Sequence, residues 1–127
     1  MTQTEIDQLA AGIASGNIAQ NIGPPVLAIA VNGAIPIDRD AFILLTKAGV
    51  AAMSIAAPGA ANIGRILQIY GATADQNVLT FTGGTLRSGA AGVTTVTGAA
   101  AIGSGITVKA VTATTWQLLA NTLAVVT

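Results

Sequence analysis

The chain has 127 residues, with five Lys+Arg against five Asp+Glu, and only 8 % of its residues are charged where about 25 % is usual. His and Cys are absent, which excludes a zinc or haem site built on those ligands and a disulfide framework, and the lack of a basic excess excludes a nucleic-acid footprint. Hydrophobic types make up 52 % of the chain, chiefly Ala and short Val/Ile runs, with 3 % aromatics. So few charges cannot cover a folded surface, and weakly charged, partly apolar surfaces associate. The composition therefore predicts a protein that works packed against copies of itself or a partner.

A membrane is not expected as that partner. The uncharged window at residues 8–37 holds Asn17, Gln20, Asn21 and the breaker Gly23-Pro24-Pro25, and the window at 88–108 is rich in Gly, Thr and Ser. Neither supplies about 20 apolar helix-forming residues in a row. The acidic start Met1-Thr-Gln-Thr-Glu-Ile-Asp7 does not read as a signal peptide, whose first region is positive. Synthesis in a cytoplasm is the expectation.

The chain divides into residues 1–25, an N-terminal arm or short helix, and residues 26–127, a β-domain. Thr4 can cap a helix, Glu5 and Asp7 suit its first turn, and Ile6, Leu9, Ala10 and Ile13 fall at helical spacing. Gly12 and Ser15-Gly16-Asn17 weaken it further on, while Ile18 and Ile22 continue an apolar trace. Two readings stay open: a helix packed on its own domain, or an arm that docks on a neighbour behind a stiff Pro-Pro spacer.

Beyond Pro25 the pattern becomes short strands. Residues 26–31 form an apolar run closed by Asn32-Gly33, a hairpin-turn dipeptide, with residues 34–37 as the returning strand. Residues 42–45 are the next run. Met53 and Ile55 alternate with Ser54 and Ala56 before Pro58-Gly59. Residues 50–52 and 57–62 are candidates for helical turns. Residues 65–70 and 78–82 follow, the latter with Leu79 and Phe81 sharing a face. Residues 93–97, 106–111, 116–119 and 123–126 complete the series. Eight to ten short strands with a turn signal every 8–12 residues predict a mainly β protein: a compact antiparallel β-sandwich or barrel, jelly-roll-like.

No constellation of residues points to catalysis or cofactor binding, and the chain does not read as an enzyme. The five acids stand at Glu5, Asp7, Asp38, Asp40 and Asp75, without the spacing of a calcium or magnesium loop. Gly83-Gly84, Gly89-Ala-Ala-Gly92 and Gly103-Ser-Gly105 lack phosphate-loop or dinucleotide spacing and read as turns. No serine has a His partner. The lone Trp116, beside Leu118 and Leu119, reads as packing.

Two stretches carry a resemblance. Ala41-Phe-Ile-Leu-Leu-Thr-Lys-Ala-Gly-Val-Ala-Ala-Met-Ser-Ile-Ala-Ala-Pro58 and Gly103-Ser-Gly-Ile-Thr-Val-Lys-Ala-Val-Thr-Ala-Thr-Thr-Trp116 resemble segments of small tailed-bacteriophage head proteins, the capsid decoration (cement) and head-fibre proteins. The resemblance spans about residues 41–119 and leaves the first 25 residues unmatched. It implies a homotrimer on the outer capsid surface of a virion, bound to the major capsid protein and stabilising the shell. On that expectation Ile6, Leu9, Ile13, Ile18 and Ile22 face the shell. The threefold contacts come from Phe42, Ile43, Leu44, Leu123 and Val125. The alternative is a head- or tail-fibre module that binds the host surface.

Overall fold

The structure is a computed structural model that describes residues 25–89 and 92–127. The expected helix or arm at residues 1–25, with Ile6, Leu9, Ile13, Ile18 and Ile22, lies outside the described residues except for Pro25.

Eleven strands form two sheets. Sheet A holds β1 (Val26–Ile29), β3 (Ala41–Leu45), β5 (Ile66–Gly71), β9 (Gly105–Ala110), β10 (Thr115–Thr122) and β7 (Thr85–Arg87), in that order. Sheet B holds β11 (Ala124–Val126), β8 (Thr95–Gly98), β6 (Asn77–Thr82), β4 (Ala51–Ala56) and β2 (Gly33–Ala34). The mainly β sandwich is as expected from the sequence.

Strand alternation builds the core. Ala41, Ile43 and Leu45 of β3 point inward and Phe42 and Leu44 outward; Ala51, Met53 and Ile55 of β4 point inward. Leu79 and Phe81 share the inward face of β6 as their spacing predicted. Leu67, Ile69, Ile106 and Val108 meet them from sheet A. Fully burying each such side chain contributes about 1.5–3 kcal/mol. Trp116, fully buried, joins this core and donates its indole N–H to the Ala56 carbonyl at 3.0 Å. The packing reading of Trp116 is correct.

The antiparallel expectation is corrected. Five strand pairs are parallel, β1–β3, β3–β5, β2–β4, β4–β6 and β7–β10, and four are antiparallel. The first six strands alternate between the sheets, so each successive strand on a sheet runs the same way as its predecessor. Ala41 pairs with Leu67 and Ala51 with Asn77, both 26 positions on. Asn32-Gly33 accordingly turns a corner from sheet A to sheet B instead of closing a hairpin. Of residues 50–52, Ala51 and Ala52 open β4 and form no helical turn, whereas a 3-10 turn does form at Ala60–Asn62.

From β7 onward the chain closes the sandwich. The β9–β10 hairpin sits against β5, and β7 pairs with β10 on its far side. Here β5 and β9 approach so closely that a Cβ on Gly105 would run into the Ile69 carbonyl. The buried Asn77 amide donates to the Ser104 carbonyl and hydroxyl, both at 3.2 Å, and the Ser104 hydroxyl donates to the Ala99 carbonyl at 2.8 Å. A Cβ on Gly98 would occupy the space of that amide.

Candidate interaction surface

The outward faces of the two sheets differ in chemistry. On sheet B, Ala52, Ser54 and Ala56 of β4, Val78, Thr80 and Thr82 of β6, Thr95 and Thr97 of β8, and Val125 of β11 point away from the core. They stand in rows: Ser54, Thr80 and Thr95 face one another across three strands, and Ala52, Val78, Thr97 and Val125 across four. β-branched residues suit these positions because their stiff side chains pack on a pleated surface. None of these residues carries a charge.

On sheet A the same alternation brings an apolar group outward near the β1 edge. Phe42 and Tyr70 stack with ring centroids 5.6 Å apart and planes 15° from parallel. The Tyr70 hydroxyl is hydrogen-bonded to the Thr107 hydroxyl at 2.9 Å. With Leu44, Gly71, Ala72, Ile102 and Gly103 the two rings line an open depression of about 390 Å³. Ile102 projects from the β8–β9 loop and is 73 % exposed.

Further along the same face the register places Ile66 beside Lys109, Lys109 beside Gln117, and Gln117 beside Arg87. Cations thus flank the Gln117 amide, which donates to the Arg87 carbonyl at 3.2 Å. Among the described residues the only ion pair is Arg39 with Asp38, at 2.9 Å. That guanidinium, by its hydrogen bond first and its charge second, holds the Asp38 carboxyl below its usual value. Asp38 and Asp40 lie in the exposed loop between β2 and β3, with Asp40 accepting the Ile66 N–H at 3.0 Å. Asp75 accepts the Gly49 N–H at 2.9 Å. Among the described residues no three acidic side chains gather where a metal ion could sit.

The residues expected to make threefold contacts separate into three places. Phe42 and Leu44 are half-buried on the outer face of sheet A. Leu123 and Val125 lie at the β10–β11 corner, 63 % and 64 % exposed. Ile43 is a correction: it is wholly buried between the sheets and reaches no neighbour. Three apolar residues in a row look equivalent in sequence, but a strand must send the middle one to the opposite side.

Sequence reading missed two features. Leu123 has φ 52°, a left-handed conformation that is uncommon for a leucine, in the turn where Asn121 bonds both backbone groups of Ala124 at 3.0 Å. It also missed β7, whose Leu86 is buried; three residues among glycines carry no alternation long enough to see. No helix among the described residues is long and apolar enough to cross a membrane. Comparison with family models, curated proteins and solved structures finds no match to this chain.

Proposed function

We propose that the protein is a structural virion component, a homotrimeric capsid decoration (cement) protein that binds the major capsid protein on the outer surface of a tailed-phage shell and stabilises it. The observation that carries this reading is the uncharged outer face of sheet B, with its rows of Ala, Ser, Thr and Val. Burying such a face costs little: there are no ions to desolvate and few long side chains to order. Each 100 Å² of apolar area removed from water contributes roughly 2.5 kcal/mol before the costs of association.

A closed ring of three uses heterologous contacts, in which one patch meets a different patch on the next copy. The sheet B face with Val125 is one such patch, and the exposed Leu119 of β10 and Leu123 at the β10–β11 corner supply the other. Ile6, Leu9, Ile13, Ile18 and Ile22 are the proposed shell contacts. The sequence likeness of residues 41–119 to decoration proteins points the same way. A host-binding fibre module would present free aromatics. Phe42 and Tyr70 are instead half-buried and stacked on each other.

Light scattering across a dilution series tests the reading. A mass of three chains is expected, and Thr97→Lys, in the middle of the sheet B face, is expected to lower it while the β-type circular dichroism stays unchanged. A monomeric mass at every concentration, together with failure to co-sediment with tailed-phage shells, overturns it.

A further inference from the structure

The outer face of sheet A offers something that the decoration reading does not use. Its depression beside Phe42, Leu44 and Tyr70 is apolar, while the cations Lys109 and Arg87 lie further along the same face. We infer that this face is the docking site of the chain's own residues 1–24, the apolar residues of that segment covering the depression and its acids approaching the cations.

Three observations choose this occupant. The first is where the segment joins the domain. The Pro25 carbonyl accepts the Phe42 N–H at 3.0 Å, and Val26 is the register partner of Phe42. The segment therefore joins the domain beside Phe42, one of the rings that line the depression. The second is charge. Residues 25–127 contain all five Lys and Arg but only Asp38, Asp40 and Asp75, whereas residues 1–24 contain Glu5 and Asp7 and no Lys or Arg. The chain's formal neutrality is thus a balance between two parts of opposite sign. Opposite charges near a protein surface attract one another, less so as salt screens them.

The third observation is reach and apolar content. Glu5 precedes Pro25 by 20 residues, which span about 30 Å even if wholly helical. Lys109 stands on the third strand from β1, roughly 14 Å across the sheet at the usual strand spacing, and Arg87 on the fifth, roughly 24 Å. Ile13, Ile18 and Ile22 fall between the acids and the domain, close enough along the chain to Pro25 to reach the depression. Docking hides these isoleucines and the Phe42–Tyr70 rings from water together. This inference concerns the protein free of a shell; to make the shell contacts proposed above, the same isoleucines would leave sheet A.

The absence of native cysteine makes the test direct. In the full chain, Leu44→Cys is combined with Ile13→Cys or with Ile18→Cys. The control replaces Leu44→Cys by Val78→Cys, on the outer face of sheet B. Under mild oxidation the Leu44 pairs are expected to form an intrachain disulfide about tenfold faster than the Val78 pairs, because docking raises the local concentration of one thiol at the other. Gln68→Cys, on the same face as Leu44, serves as a second probe if the Leu44 variant loses its β-type circular dichroism. Equal rates for the two faces overturn the inference, as does a disulfide that appears only between chains. A fast intrachain disulfide in these variants, together with failure of the unaltered chain to co-sediment with shells, would instead count against the capsid reading alone.

Discussion

The strands β1 to β6 and the strands β7 to β11 reach the same core by different means. In the first half the chain passes back and forth between the sheets, and every pairing within it is parallel. Its stability is spread over repeated inward positions such as Ile43, Ile55, Leu67 and Leu79, each flanked by another of its kind. The second half pairs with the first along β5–β9 and β6–β8 and adds Val96, Ile106 and Val108 to the core, but it also relies on close fits of single residues: Trp116 to the Ala56 carbonyl, Asn77 to Ser104, and the bare glycines where backbones nearly touch. Distributed burial tolerates the loss of one side chain by its share of area. A lock of one residue does not.

That contrast can be broken most forcefully at Gly98. The methyl of Gly98→Ala would displace the buried Asn77 amide from Ser104, and overpacking plus loss of buried hydrogen bonds is expected to cost about 3–5 kcal/mol in urea unfolding. Adding Asn77→Ala should recover part of this, because the clash and the network share one side chain. Ile55→Ala in the first half is the comparator, at about 2–4 kcal/mol. A Gly98→Ala cost well below that of Ile55→Ala would show that the second half is no more brittle than the first.

Trp116→Phe sharpens the comparison by keeping an aromatic core while removing the indole N–H. The Ala56 carbonyl then loses its side-chain donor, and the smaller ring leaves space. A loss of about 2–3 kcal/mol is expected in the same measurement.

The smallest effect is expected at Leu123, where Asn tolerates the left-handed backbone better than Leu does. Because Leu123 is 63 % exposed, Leu123→Asn forfeits little burial and should raise monomer stability by about 0.5 kcal/mol. If the leucine serves the proposed threefold contact, the same variant should lower the mass seen by light scattering. A stabilised variant with an unchanged mass would remove Leu123 from that contact.

Much of the β-domain was legible because alternation is a local property. Met53 and Ile55, or Leu79 and Phe81, announce an inward face whatever sheet they join. The turn at Asn32-Gly33 was legible as a turn but not as a corner, since a Gly able to reverse the chain can equally pass it to the other layer. The interaction surface was legible only in its chemistry. Scarce charge foretold uncharged faces, yet Ile43 cannot be told from Phe42 and Leu44 until the register assigns each a side.

The amino-acid sequence by itself determined the strand-rich class, the inward and outward alternation of the longer strands, and the shortage of charge that leaves one whole sheet face neutral. These follow from side-chain type and a period of two, which act between near neighbours. Tertiary structure alone decided the mixed pairing, the sharing of Asn77 with Gly98 and Ser104, and the meeting of Phe42 with Tyr70. The last two join residues 21 to 28 positions apart, and only the packing of one layer on the other selects which distant backbone lies alongside.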